Sequence, residues 1–179
     1  MNFKWIEKLD EDTIEHLFCL LNESVEDKGM LGFDSNNQEE IHQYIGDLSQ
    51  ELDKKTSHLL GVFNSSGSLI GMLVVKTNSI PTHKHIAEIT KTLIRKRYRG
   101  SKGGGILFEG FSEILNFSEV HDISVLRFDV REGSRAEKIW RRLGFNTYGR
   151  LEKYSQYEGR YFPGVYMYGE VSDLKNNLG

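Results

Sequence analysis

Apolar residues recur at helical spacing in four places along the chain and alternate with polar ones in several more. Ile14, Leu17, Phe18 and Leu21 fall on one face of a helix over 13–21, with Asp12 as its candidate N-cap. Ile41, Ile45, Leu48 and Leu52 line a second helix over 38–54. Phe3 to Leu9 reads as a short first strand, and H-L-L-G-V-F-N and L-I-G-M-L-V-V-K, joined by N-S-S-G-S, read as an antiparallel hairpin. Later, I-S-V-L-R-F-D-V predicts a strand. Ala136, Ile139, Trp140 and Leu143 form the stripe of a short helix, with Ser134 as its N-cap and Gly144 where a helix end favours positive φ. Phe145 to Tyr154 and Tyr161 to Val171 are aromatic-rich strands about a turn at Y-S-Q-Y-E-G-R. Hairpin strands followed by β-α-β-α-β imply a mixed, mostly antiparallel central sheet of about seven strands flanked by about four helices, an α/β (α+β) layer structure.

The most informative stretch is I-A-E-I-T-K-T-L-I-R-K-R-Y-R-G-S-K-G-G-G-I-L, residues Ile86 to Leu107. Its first half is written as a largely buried strand. Ile106, Leu107, Phe111, Ile114 and Leu115 then give a helix over 104–120. Between them lie Arg95, Lys96, Arg97, Arg99, Lys102 and four glycines. A strand, a glycine-rich turn and a helix start leave backbone N–H groups unpaired where the helix dipole favours negative charge, and the missing Cβ atoms let a phosphate approach. Neither the P-loop pattern nor G-x-G-x-x-G is present, since Phe108 stands where the latter needs its last glycine.

Composition narrows the partners. With 179 residues, two prolines, no internal repeat and no low-complexity tract, one domain over 1–179 is expected. A net charge of -3 argues against a nucleic-acid binder. Cys19 is alone, so no internal disulfide can form, and the histidines lack the paired spacing of a metal site. No apolar run approaches a membrane span and the first residues are charged, which reads as a soluble cytoplasmic protein without a membrane partner.

The order of elements, with R-G-S-K-G-G-G-I-L opening the third helix and A-E-K-I-W-R-R-L-G-F forming the fourth, resembles the GNAT superfamily of acyl-CoA-dependent N-acetyltransferases. Within it, L-L-N-E-S-V followed by Gly32 and Phe33, A-E-I-T-K, D-V-R-E-G-S-R-A-E and the tyrosine-rich hairpin are similar to the tabtoxin-resistance branch. The resemblance implies acetyl-CoA as co-substrate and a small-molecule amine acceptor, with a homodimer left open. It implies that the backbone of Thr92, Leu93 and Ile94 holds the pantetheine and thioester. Arg99 and the run Gly100, Ser101, Lys102, Gly103, Gly104 and Gly105 would then hold the diphosphate, with Gly133 and Ser134 as further cofactor contacts.

Two departures stand out. The superfamily's [QR]-x-x-G-x-[GA], aligned from Arg99, puts its first glycine on Lys102, and a shift of one residue restores Gly103 and Gly105. The tyrosine that usually protonates the departing thiolate corresponds to Trp140, so Tyr148 or another C-terminal tyrosine, or water, must serve. Making an alkylamine nucleophilic at pH 7 costs about 4 to 5 kcal/mol, and Glu88, beside the implied thioester and on one strand face with Thr90, Thr92 and Ile94, is the candidate base. His83 and His85 are reserve bases. Glu23, Asp27, Phe33 and Asp129 are candidate acceptor contacts. The rival functions are acetylation of a protein N-terminus or lysine, and non-catalytic acyl-CoA binding.

Overall fold

The computed structural model describes residues 1–25, 33 and 38–178, without the side chains of 101–104. Its elements run β1 (Asn2–Ile6), α1 (Glu11–Val25), α2 (Gln38–Asp53), β2 (Ser57–Phe63), β3 (Leu69–Thr77), β4 (Ile86–Ile94), α3 (Ser101–Val120), β5 (Val125–Arg131), α4 (Arg135–Arg142), β6 (Asn146–Tyr157), β7 (Arg160–Glu170) and α5 (Val171–Leu178). Seven strands hydrogen-bond in the order β1-β2-β3-β4-β5-β7-β6. The pairs β1–β2, β2–β3, β5–β7 and β6–β7 are antiparallel and β4–β5 is parallel. The mixed, mostly antiparallel sheet of the sequence reading is therefore present, with five α-helices among the described residues rather than four.

The chain divides into two compact units, Met1–Thr77 with Thr90–Glu113 and Asn78–Ile89 with Ile114–Gly179, so β4 and α3 each contribute residues to both. In the first unit the apolar stripes of the two opening helices meet the sheet. Leu17, Leu20 and Leu21 of α1, Ile41, Ile45, Leu48 and Leu52 of α2, and Leu59, Met72 and Val74 of β2 and β3 form one buried cluster. The cap of α1 is Asp10 rather than Asp12, because Asp10 Oδ1 accepts from the Thr13 amide at 2.8 Å; Asp12 lies inside the first turn, where its charge suits the helix dipole. The third helix starts at Ser101, three residues earlier than its apolar stripe suggests, and Gly100, at φ 115°, makes the turn into it.

Glu51, at the end of α2, anchors that helix to the sheet by accepting from Ser57 Oγ at 2.7 Å and from the Lys76 ammonium of β3. Partial burial pushes its pKa up, but the hydrogen bonds from Lys76 and Ser57 outweigh it and leave the carboxyl below its ordinary 4.5. A folded pKa below the unfolded one contributes stability above about pH 4.5 that is lost as pH falls through the folded value. Glu51→Gln is accordingly expected to flatten the fall of the thermal midpoint in acid below about pH 4.5, and a profile as steep as the parent's would contradict this.

In the second unit the sheet has two unlike faces. Leu126 and Phe128 of β5 and Val165 and Met167 of β7 are buried, whereas Arg127, Asp129 and Tyr168 between them are exposed and Tyr166 is half-buried. Phe128, Trp140 and Phe145 pack together under the buried face, with ring centroids 4.8, 4.9 and 5.5 Å apart. The final helix, α5, was not read from the sequence. It seats Leu174 against Gly169, where a Cβ would come within 2.8 Å of the leucine. The β6–β7 hairpin turns on Glu158 and Gly159, both at positive φ (48° and 74°), as a two-residue turn between registered Tyr157 and Arg160 requires. Among the described residues no helix is long and apolar enough to cross a membrane.

Candidate active site

The first unit holds the C-terminal half of β4 and the start of α3. Side chains alternate along β4, so Thr90, Thr92 and Ile94 share one face and Lys91 and Leu93 the other. Leu93 joins the α1–α2 core. Thr92 Oγ1 is buried and lacks a hydrogen-bond partner within the described structure, an orphan that a ligand's polar group would satisfy. After Ile94 a 3-10 turn at Lys96–Tyr98 brings the chain to α3, whose first-turn amides have no partner inside the helix. An ideal Cβ at Gly100 or Gly105 would meet nothing within 4 Å, so the backbone there is open to an approaching group.

The basic residues of this segment divide by their contacts. Arg95 is held in the fold: its amide donates to Ile70 O, its Nε to Leu69 O at 3.1 Å and its Nη1 to Glu23 at 2.5 Å. That ion pair gives Glu23 a structural partner. Arg97 lies over the Tyr98 ring at 5.1 Å, and Arg99 Nε donates to Ile94 O at 2.6 Å, which braces the turn. Phe33 is buried beside Tyr44, edge to face at 5.6 Å, with the Lys91 ammonium 4.9 Å from the Phe33 ring and 5.4 Å from the Tyr44 ring. Burial pushes the Tyr44 phenol well above its ordinary range. Asp27 lies outside the described residues, as do the side chains at 101–104, Lys102 among them.

The second unit holds Glu88, two residues before Thr90 on the same strand. The parallel β4–β5 register places it opposite Arg127, and Arg127 Nη2 donates to Glu88 Oε2 at 3.3 Å. Both side chains are more than a third exposed, so the pair contributes at most about 1 kcal/mol. Asp129, the next residue on that face, accepts a hydrogen bond from the Tyr154 hydroxyl. Burial first, then the bond to Asp129, pushes the Tyr154 phenol well above its ordinary range. Tyr148 is 55% exposed on β6, its ring 6.1 Å from Tyr166 and 5.9 Å from Tyr168.

The start of α4 is a closed cap. Ser134 Oγ accepts from the Glu137 amide at 3.0 Å and Glu137 Oε2 accepts from the Gly133 amide at 2.6 Å, with Gly133 at φ 75°. The Gly133 amide is therefore taken up within the cap, while the Ser134 hydroxyl accepts there and keeps its proton to donate. Trp140 is 4% exposed and belongs to the aromatic cluster. Arg127 went unremarked in the sequence and Tyr154 was read only as one of the C-terminal tyrosines, although the strict alternation of Leu126, Phe128 and Val130 with Arg127, Asp129 and Arg131 marks a polar sheet face. Among the described residues no three acidic, His or Cys side chains converge as a metal site would need.

No protein-family model matches the sequence, and no curated protein matches it. Solved structures do. A spermidine N-acetyltransferase from Vibrio cholerae, in complex with CoA and spermine, superposes with a TM-score of 0.75 at 17% identity over 97% of this chain and 98% of its own. Ribosomal-protein-alanine N-acetyltransferase from Brucella melitensis gives 0.74 at 18% over 95% and 99%. An acetyltransferase of the GNAT family from Streptococcus pneumoniae gives 0.74 at 16% over 94% and 99%. This chain shares their fold. At these identities the likeness speaks for architecture, and the chemistry must be argued from the residues of this chain.

Proposed function

We propose that the protein is an acetyl-CoA-dependent N-acetyltransferase of the GNAT type, one domain over 1–179, acting on the primary amine of a small molecule. One observation carries the reading. In the first unit the C-terminal half of β4 presents the Thr92 hydroxyl, buried and without a hydrogen-bond partner among the described residues, and then delivers the chain to the N-terminus of a 20-residue helix. That sequence of features suits a thioester along the strand and a diphosphate at the helix start. The fold shared with acetyltransferases supports it, as does a neighbour's complex with CoA.

In this reading the backbone of Thr92–Ile94 receives the pantetheine arm and the segment from Gly100 to Gly105, with the unpaired amides that open α3, receives the phosphates. The acceptor nitrogen attacks the thioester carbonyl carbon, its proton passes to Glu88 directly or through one water, and the carbon–sulfur bond breaks to give the acetamide and the CoA thiolate. A thiol of pKa about 8.5 leaves readily near neutrality, so water can return its proton. Tyr154 is engaged with Asp129, and Tyr148, exposed on β6, is the side-chain candidate for that role. The chain's sequence motifs are similar to those of the tabtoxin-resistance acetyltransferases, and the small-molecule reading rests on that similarity.

The test is thiol release from acetyl-CoA across a library of free amines and of peptides. Release with free amines, and far less with peptides, is the expected result. Absence of release with every acceptor, together with no calorimetric binding of CoA, would overturn the proposal.

A further inference from the structure

The second unit's sheet gathers tyrosines on its polar face. Tyr168 and Tyr166 of β7 stand opposite Arg127 and Asp129 in the β5–β7 register, and the Tyr148 ring of β6 is 5.9 Å from the first and 6.1 Å from the second. Cross-strand pairing accounts for rings that cover one another. It does not account for the ring area left in water, since Tyr148 is 55% and Tyr168 39% exposed. Adjoining exposed rings, unlike apolar side chains scattered singly, mark a binding surface.

The local fold makes these rings one platform. The β6–β7 register slips between Leu151 and Ser155, and Tyr154 lies in that irregularity. Its ring rests on the backbone at Gly164, where an added Cβ would come within 2.1 Å of a ring carbon, and meets Tyr166 edge to face at 6.4 Å. Tyr166 is thereby held between Tyr154 and Tyr148. The charges beside the platform offset one another. Arg127 donates to Glu88, and Asp129 shares its strand face with Arg131, whose contacts with Ser155 Oγ at 3.3 Å and the Phe162 ring at 4.1 Å are with neutral groups. Glu170, a further acid on this face, is at the end of β7 opposite Val125, on the far side of Tyr168 from Tyr166. Around Tyr166 and Tyr168 the face therefore offers ring surface rather than an unmatched charge.

We propose that Tyr168, with Tyr166 and Tyr148 beside it, binds an aromatic ring of the acceptor, so that the preferred substrates are primary amines joined to an aromatic ring by a short alkyl chain. The proposal rests on the acetyltransferase reading for the amine, whose proton Glu88 takes. Glu88 is opposite Arg127 and Arg127 is opposite Tyr168, so they form one rung across β4, β5 and β7. The Cα atoms of Glu88 and Tyr168 are about 10 Å apart from ~4.8 Å per strand. With both side chains rising from the same face, a short arylalkylamine spans the distance from carboxylate to ring. The Arg127 guanidinium stands between them, 45% exposed, and offers the acceptor's ring a planar cation to lie against. A second ammonium on the acceptor would meet that same cation and be repelled.

The experiment compares phenethylamine, hexylamine and diaminohexane, both in turnover and in calorimetric binding to the protein without acetyl-CoA. The wild type is expected to favour phenethylamine over the other two, through KM rather than kcat. Tyr168→Leu, an apolar replacement at an exposed position, is expected to cut the phenethylamine-to-hexylamine preference about 2- to 12-fold, the range that one ring–ring contact contributes. Tyr168→Phe should keep that preference, because it keeps the ring. Equal handling of phenethylamine and hexylamine by the wild type, a preference for the diamine, or equal loss on both monoamines in Tyr168→Leu would overturn the subsite while leaving acetyl transfer standing. Tyr168-dependent phenethylamine binding in a protein that transfers no acetyl group would support the subsite and overturn the acetyltransferase reading instead.

Discussion

Glu88→Gln is expected to lower kcat/KM for a primary amine by about 10²- to 10³-fold at pH 7, and by progressively less as pH approaches the pKa of the acceptor. The reason lies in the acceptor. An alkylammonium with a pKa near 10.4 is about 4 to 5 kcal/mol from its nucleophilic form at neutral pH, so a positioned base contributes most where the free amine is scarce. Glutamine keeps the size of the side chain and can still accept from Arg127, which isolates the lost basicity from lost packing. Since the Glu88–Arg127 pair is half-exposed on both sides, the substitution should move the thermal midpoint little. Parallel pH–rate profiles of parent and variant are the measurement. Profiles differing by a constant factor at all pH values would make Glu88 a positioning group, and identical profiles would remove it from the reaction.

The parts of this molecule that were legible in the sequence are those written in local pattern. The bounds of β4, Ile86 to Ile94, follow from an alternating, β-branched run ending before a basic, glycine-rich segment. The Ser134 cap follows from a serine three residues ahead of Glu137, and the observed bond confirms the geometry. The start of α3 was misjudged because glycines 103–105 have low helix propensity, yet they fall in and just after the first turn of α3, where the cost of glycine is least. The last helix escaped because Val171 and Leu174 are its buried anchors and its seat, Gly169, is on another element. What no local pattern could supply was register. Arg127 meets Glu88 across 39 residues, and Tyr154 meets Asp129 across 25, through a strand irregularity. The same limit hid the structural partners of Glu23 and Phe33. Their partners, Arg95 and Tyr44, are distant in sequence or on a different helix.

Trp140→Ala is expected to be the most destabilising single change considered, at about 3 to 5 kcal/mol, or a fall of roughly 6 to 20 °C in the thermal midpoint for a chain of this size. The indole is 4% exposed and fills the space between Phe128 of β5 and Phe145, just before β6, so its removal leaves a cavity that two rings on separate elements cannot close together. Trp140→Phe should cost less, since it keeps an aromatic partner for both neighbours. Trp140→Tyr is the informative member of the series. It introduces the phenol that the GNAT superfamily, which the sequence resembles, carries at the corresponding position, but here it would bury a hydroxyl in an aromatic cluster, at a cost of about 1 to 3 kcal/mol unless the group finds a partner. A loss of stability with no gain in kcat is therefore expected, because the position serves packing in this chain. A gain in kcat would move the proton donor for the thiolate back to α4, and an unchanged midpoint in Trp140→Ala would mean that the Phe128–Trp140–Phe145 cluster does not support the fold as described.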